Sequence, residues 1–315
     1  MKKLSVKRII LYVFLILLVL LIKGAYYSDI PVEILKEKYA NDHSQFTEID
    51  GMQVHYRDEG KGETIVLIHG TASSLHTWDS WTENLTKEYR VIRMDLPAFG
   101  LTGPNKKGDY SIENYTRFLK DFLSKLKVDN FYLAGNSLGG NIAWNYAAEN
   151  PSKVKKLILL DSSGLPINKS IPWIFTMAKT PVLNSLFLYL TPKMVIKDNM
   201  KQVYEDDSKI TENLITRYHE MALREGNRQA FVDRAKTDFK LEANQNVDKL
   251  KKLNTETLLI WGAKDNWIPL DNGERMDSLM PNSQLKVLPN SGHVPMEENP
   301  EESLTILRQF LSQEK

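Results

Sequence analysis

The sequence predicts an α/β protein with a mostly parallel sheet, helices on both faces of the sheet, and an inserted helical cap. Strand-like runs alternate with helical patterns over residues 46–164 and again over 253–315, and such alternation is typical of parallel sheets. Between them, residues 165–252 have helical composition without strands. Residues 1–27 precede this body as a predicted transmembrane helix, and residues 28–45 are expected to form a polar linker or a short helix.

The predicted membrane anchor rests on an unbroken apolar run over residues 9–22. Basic residues flank this run: Lys2, Lys3, Lys7 and Arg8 before it and Lys23 after it. No small-residue cleavage site follows, so we favour an uncleaved anchor over a secreted protein with a cleaved signal peptide. The basic flank predicts a cytoplasmic N-terminus, with the body of the protein outside the cell membrane.

Composition excludes several function classes. The 315-residue chain has no cysteine, which rules out disulfides and thiolate catalysis. A net charge of +1 gives no support for nucleic-acid binding. The six histidines lack the spacing of a zinc motif, so we predict no metal and no cofactor.

The elements of the first half follow from β-branched runs, helical periodicity and turn residues. The predicted elements are a hairpin at 47–50 and 52–57, strands at 64–68, 89–94, 131–134 and 155–160, and helices at 78–87, 112–126 and 138–149. After the cap we predict strands at 256–261 and 284–288 and helices at 271–280 and 300–313.

A serine sits at the sharpest predicted turn. Gly135-Asn-Ser137-Leu-Gly139 reads G-x-S-x-G between a short apolar strand and a helix, which is the context of a nucleophile elbow. Small residues two before and two after the serine let the strand and helix backbones approach each other. The helix N-terminus also favours negative charge beside the hydroxyl. Ser137 is therefore the candidate nucleophile.

A serine nucleophile needs a base, and the base needs an orienting carboxylate. Of the histidines after Ser137, His219 lies in the cap and is expected to be an exposed helix residue. His293 lies in a Gly/Pro loop after a strand, at the sheet edge where α/β active sites assemble, so it is the candidate base. Asp265 follows the strand at 256–261 and is the candidate acid. Asp161, at the end of the preceding strand, is its rival or a carboxylate that caps backbone amides.

Two backbone amides are expected to hold the oxyanion. One belongs to Leu138, directly after the nucleophile, and the other to Thr71, in the loop after the strand at 64–68. We interpret His69 and Asp95, which begin neighbouring loops, as structural residues.

These motifs, in this order and spacing, resemble the α/β-hydrolase superfamily over about residues 46–313. The motifs are His69-Gly-Thr71, Asp95-Leu-Pro-Ala-Phe-Gly100, Gly135-Asn-Ser-Leu-Gly-Gly140, Gly262-Ala-Lys-Asp265 and Gly292-His293. The likeness is greatest to the capped group of esterases, small lipases and carbon–carbon bond hydrolases. It implies Ser137 as nucleophile, Asp265 as acid and His293 as base, with Thr71 and Leu138 as oxyanion donors. One departure is Ala98, where the family usually has glycine.

The predicted activity is hydrolysis of hydrophobic or lipid-like carboxylic esters through an acyl-enzyme. Trp173, Phe175 and Phe187 of the cap are candidates to line the acyl pocket. Carbon–carbon bond hydrolysis and acyl transfer or perhydrolysis are alternatives, because the same triad serves all of them. A ligand-binding sensor that has kept the fold is the alternative from another class.

Overall fold

The computed structural model describes residues 5–169, 172–237 and 246–313. The predictions that involve Lys2 and Lys3, and the cap residues 170–171 and 238–245, lie outside these ranges. The described strands are β1 (Ser44–Ile49), β2 (Met52–Gly60), β3 (Glu63–Ile68), β4 (Tyr89–Met94), β5 (Phe131–Asn136), β6 (Val154–Leu160), β7 (Thr257–Gly262) and β8 (Ser283–Leu288).

The described strands form one eight-stranded sheet in the order β1-β2-β4-β3-β5-β6-β7-β8. Strand β2 pairs antiparallel with both β1 and β4, and the remaining neighbours are parallel. The predicted parallel sheet is thus confirmed, with an antiparallel edge made by the predicted hairpin. Parallel pairing brings the carboxyl ends of β3, β5, β6, β7 and β8 to one edge of the sheet.

The helices follow the predicted alternation. Those of the body are α3 (Asp79–Leu85), α4 (Ile112–Lys125), α5 (Leu138–Glu149), α11 (Leu270–Leu279), α12 (Pro295–Glu298) and α13 (Pro300–Leu311). Those of the cap, between β6 and β7, are α6 (Trp173–Lys179), α7 (Leu183–Phe187), α8 (Lys193–Val203), α9 (Glu212–Leu223) and α10 (Asn227–Ala235), and residues 246–251 are also helical.

The core lies on both faces of the sheet. In β3, Val66 and Ile68 belong to one buried cluster, with residues of α4 and α5, whereas Ile65 and Leu67 belong to another, with residues of α3 and α13. Successive side chains of a strand point to opposite faces, so a strand covered on both sides must be apolar at every position. This requirement explains the continuous apolar run that predicts β3.

The segment before the body is attached to the cap. The amide of Tyr27 donates to the carbonyl of Tyr189, and the amide of Ile30 donates to that of Leu223. The predicted linker 28–45 also contains α2 (Val32–Tyr39) and the start of β1. The chain therefore reaches the sheet only after pairing with the cap.

Helix α1 covers Val6–Ala25, within the segment predicted to cross the membrane. Among the residues that the structure describes, no helix combines the length and the apolar character that crossing a bilayer requires. The predicted transmembrane helix is therefore not found.

Candidate active site

Strand β5 and helix α5 place Ser137 on a strained turn. Ser137 has φ 54° and ψ −114°, a conformation that costs energy for any residue except glycine. A Cβ atom on Gly135 would lie 2.2 Å from the carbonyl oxygen of Gly139, and one on Gly139 would lie 2.2 Å from that of Ile68. Both glycines are thus needed to pack the elbow, as the G-x-S-x-G spacing predicts.

The predicted base and acid are in contact. Nδ1 of His293 lies 2.6 Å from Oδ2 of Asp265, and both side chains are buried. The other carboxylate oxygen of Asp265 accepts the amides of Trp267 and Ile268, at 2.7 and 3.0 Å. A carboxylate held in this way fixes the imidazole with its Nε2 available to take a proton.

Ser137 and His293 line the same cavity. Within the described residues, Nε2 of His293 has no hydrogen-bond partner, so no bond to the serine hydroxyl is formed. Such bonds often form fully only when substrate is bound. The predicted nucleophile and the predicted base therefore share one cavity, in which Nε2 of His293 is free to accept a hydrogen bond.

Backbone hydrogen bonds hold the histidine from two sides. The side-chain amide of Asn136, next to the nucleophile, donates to the carbonyl of His293 at 2.9 Å. The amide of His293 donates to the carbonyl of Val203, at the end of α8, at 2.7 Å. The loop that carries His293 thus bridges the elbow and the cap. Neither Asn136 nor Val203 was predicted to take part in the site, because their contacts link residues far apart in sequence.

Asp161, the rival acid, lies beside the pair. It is fully buried and accepts the amide of Gly262 at 2.9 Å, which is the amide-capping role considered for it. Burial, together with the charge of Asp265, raises the pKa of Asp161 well above its ordinary value. Asp161, Asp265 and His293 each offer one atom within 4.8 Å of the others, a donor set that could hold a metal ion. The Asp265–His293 contact already engages two of the three groups.

The two predicted oxyanion donors are available. Within the described residues, neither the Thr71 amide nor the Leu138 amide donates a hydrogen bond. A Cβ atom on Gly70 would lie 3.1 Å from Cβ of Ser137, so the loop that carries Thr71 is packed against the nucleophile. Preorganised amides beside a serine can stabilise the negative oxygen of a tetrahedral intermediate.

Two other histidines are structural. Nδ1 of His69 lies 2.7 Å from the carbonyl oxygen of Gly70, and its Nε2 accepts the amide of Leu96 at 2.9 Å. His219 was expected to be exposed, but it is 2% exposed and its Nε2 lies 2.7 Å from the carbonyl oxygen of Thr191. The expectation failed because α9 turns His219 toward Thr191, between α7 and α8, and toward the ring of Tyr27, which a helical pattern alone does not reveal.

Only one of the three predicted pocket residues lines the cavity. Phe187 lines the cavity. Phe175 stacks behind the lining on Phe231, with ring centroids 5.5 Å apart, whereas Trp173 is 37% exposed and does not line the cavity. Helix α6 instead turns Ile174 inward. Cap residues that line the cavity and that composition did not single out include the apolar Ile174, Ile196, Met200, Val203, Met221, Ala222 and Phe231, and also polar ones such as Asn199 and Tyr218.

The chain resembles several known proteins. It is 31% identical over 256 residues to the uncharacterized hydrolase YugF of Bacillus subtilis (strain 168), covering 80% of this chain and 92% of that protein. It is also 31% identical over 248 residues to 2-hydroxy-6-oxononadienedioate/2-hydroxy-6-oxononatrienedioate hydrolase 1 of Pseudomonas putida. That match covers 77% of this chain and 86% of the Pseudomonas protein. A crystal structure of a membrane phospholipase A matches with a TM-score of 0.71 at 25% identity, covering 97% of this chain and 98% of that one.

The named relatives divide between two reactions. They include carbon–carbon bond hydrolases as well as esterases and lipases. These relatives support the predicted alternative, carbon–carbon bond hydrolysis, more than the ester hydrolysis predicted first. The family model described as alpha/beta hydrolase fold matches residues 63–300. Together with the strained serine, the buried imidazole–carboxylate pair and the free amides, this match shows that the chain is a hydrolase and belongs to the alpha/beta hydrolase fold family.

Proposed function

We propose that this serine hydrolase cleaves carboxylic esters with a hydrophobic acyl group. The cap wall of the cavity carries this proposal, because most of its lining side chains are apolar. The apolar ones are Ile174, Phe187, Ile196, Met200, Val203, Met221, Ala222 and Phe231, and the others are Thr191, Asn199, Tyr204, Tyr218, Asn227 and Arg228. An acyl chain that packs against this wall is removed from water, which favours binding by about 25 cal/mol for each Å² of apolar surface buried.

The geometry supports an acyl-enzyme mechanism. Nε2 of His293 accepts the proton of the Ser137 hydroxyl as the oxygen attacks the ester carbonyl. The amides of Thr71 and Leu138 hold the oxyanion, and Asp265 stabilises the imidazolium. His293 then protonates the departing alcohol, and a water molecule releases the acid by the same steps.

Carbon–carbon bond hydrolysis is the second candidate because relatives such as the Pseudomonas putida enzyme are named for it. A dienedioate carries two carboxylates, and a buried charge needs a partner. Within the described residues, Arg228 is the only lysine or arginine that lines the cavity. Its Nε and Nη2 already donate to Asp29, at 3.1 and 2.6 Å, and only its buried Nη1 has no partner there. This shortage of positive charge is why we place esters first.

A substrate panel separates the candidates. We expect p-nitrophenyl esters to be cleaved with a preference for medium or long acyl chains, and Ser137→Ala or His293→Ala to lower kcat by about a millionfold. The comparison substrate is a 2-hydroxy-6-oxo-dienoate. If it has the higher kcat/KM, carbon–carbon hydrolysis replaces the ester proposal.

Two further outcomes of the panel would change the assignment. Faster product formation with an added alcohol or peroxide would indicate acyl transfer or perhydrolysis. Absence of both turnover and fluorophosphonate labelling of Ser137 would indicate a sensor.

The location outside the cell membrane also stays a proposal. It is supported by the basic residues before the apolar run, among them Lys7 and Arg8. Protease digestion of intact cells tests which side the body occupies, and N-terminal sequencing tests whether the segment is cleaved.

A further inference from the structure

Exposed apolar side chains are concentrated on one part of the cap. Among the described residues that follow Tyr27, nine large hydrophobic side chains are exposed, and all but Ile34 and Val287 lie between residues 167 and 194. We call six of them the cap face: Trp173, Val182, Leu183, Leu186, Tyr189 and Met194. Val182 and Met194 are 72% and 69% exposed. A monomeric soluble protein rarely exposes such a concentration without a partner.

Helical packing explains why these side chains point outward. Helix α6 buries Ile174 and Ala178 and exposes Trp173. Helix α7 buries Phe187 and exposes Leu183 and Leu186. The inward side chains line the cavity or pack against the body. Each helix therefore carries apolar side chains on both its inner and its outer face. On the outer side, Trp173, Leu183 and Leu186 are exposed.

Positive charge predominates in the chain segment that carries the cap face. Between Asp161 and Asp198 the sequence contains no acidic residue and four lysines, at positions 169, 179, 193 and 197. Lys179 and Lys193 are exposed. Acidic groups also lie nearby, since Asp198 follows Lys197, Glu212 of α9 is 3.6 Å from Lys197, and Glu220 of α9 interacts electrostatically with Lys193. Lysines around exposed apolar and aromatic side chains are the pattern of a surface that rests on anionic lipid.

The cap face is continuous with α1. Tyr26 forms a β-bridge with Leu190 and stacks on Tyr189, with ring centroids 6.4 Å apart. Helix α1, which ends next to this contact, exposes consecutive apolar side chains from Ile9 to Ile16. No acidic residue occurs before Asp29. Two apolar, lysine-bearing surfaces thus meet at Tyr26.

We propose that the cap face docks on the surface of an anionic lipid bilayer. Trp173 and Tyr189 then lie at the headgroup level, as amphipathic aromatic side chains do at membrane interfaces. The lysines contact lipid phosphates, and the cavity roof formed by the inward sides of α6 and α7 lies directly above the lipid. This inference does not depend on which bond the active site cleaves.

Fluorescence quenching tests the proposal on the full chain. Because the protein has no cysteine, a single cysteine can carry an environment-sensitive dye at Leu186→Cys, at Met194→Cys or, as control, at Val287→Cys on β8. With vesicles of phosphatidylglycerol and phosphatidylcholine that contain brominated lipid, we expect a blue shift and quenching at 186 and 194 but not at 287. This readout reports cap contact even when α1 holds the protein on the vesicle.

Charge reversal gives the second readout. Lys179→Glu and Lys193→Glu should each lower the ratio of docked to undocked protein, measured by quenching at 186, by about fivefold or more. Lys286→Glu on β8 is the matched control and should leave the ratio unchanged.

Three results would overturn the proposal. One is vesicle-bound protein whose dyes at 186 and 194 remain unquenched, and another is protein that does not bind these vesicles. The third is a dimer in solution whose formation shields both dyes without lipid, which would assign the cap face to a second copy of the chain.

Discussion

At the scale of single residues, a buried carboxyl group that takes no part in the proposed reaction lies beside the predicted acid and base. Asp161 faces Asp265 and His293, and Glu298 also acts on it electrostatically. Burial first, and then the charge of Asp265, raises the pKa of Asp161, so the folded protein binds a proton there more tightly than the unfolded chain does. The free energy of unfolding therefore falls as pH rises from the unfolded pKa, about 3.9, through the folded pKa.

Asp161→Asn should remove this pH-dependent decrease in the free energy of unfolding. Asparagine does not titrate, and its oxygen can still accept the amide of Gly262. We expect a higher free energy of unfolding than wild type above about pH 5, and a smaller decline with pH. Urea unfolding at several pH values between 5 and 9 measures the free energy of unfolding of both proteins. Parallel curves for the two proteins would show that Asp161 carries no raised pKa.

Ala98, the departure from the family pattern, adopts a backbone conformation that suits glycine. Its φ is +85° and its side chain is buried. We expect Ala98→Gly to raise the free energy of unfolding by about 0.5–1 kcal/mol, since the relief of strain exceeds the added chain entropy. Gly100→Ala, at φ +53° with its Cβ 2.2 Å from Cγ of Asp95, should instead destabilise the protein. Thermal unfolding of both variants measures the difference, and a lower Tm for Ala98→Gly would contradict it.

At the scale of elements, α12 joins the catalytic loop to the cap through one carboxylate. Oε2 of Glu298 accepts the amide of Gly292 at 2.7 Å, and Oε1 accepts the amides of Glu205 and Asp206 at 2.8 Å each. Glu298 is buried, so each bond forms away from water, where charged hydrogen bonds are strong. The position of His293 therefore depends on the end of α8.

Glu298→Gln should lower kcat by about tenfold to a hundredfold and leave KM nearly unchanged. One amide oxygen cannot replace both carboxylate oxygens, so either the loop or the cap loses its acceptor, and His293 shifts relative to Ser137. Glu297→Gln is the matched control because Glu297 contacts Arg217 and Tyr218 but not the loop. Ester hydrolysis kinetics below the unfolding temperature provide the measurement. Equal decreases of kcat in the two variants would contradict a role of Glu298 in positioning His293.

Sequence predicts best where the physical constraint is local. The glycines around Ser137 and the loops that carry Asp265 and His293 follow strands whose apolar runs are visible in the chain. The inward or outward direction of Trp173 and the burial of His219 depend on neighbouring helices, which the sequence does not arrange in space. Asn136 bonds to His293 across 157 positions, so no local pattern reveals it.

At the scale of the whole molecule, the sequence predicts a helical cap inserted between two α/β portions, and in the structure α6–α10 follow β6 and precede β7. Helices without intervening strands cannot extend a parallel sheet, so a long stretch of them must pack over it. The course of the preceding segment was not predictable, because residues 26–30 pair with the cap through main-chain atoms that any side chains would permit.

This pairing makes the choice of starting residue consequential for any shortened version of the enzyme. A recombinant chain that begins at residue 28 retains the ion pair between Asp29 and Arg228 and the main-chain bonds of Ile30. One that begins at residue 46 discards them all and leaves the guanidinium in the cavity wall without its counterion. Trimming the chain to the α/β body would thus alter the wall of the cavity, and the kinetics of the shortened protein would describe a different catalyst.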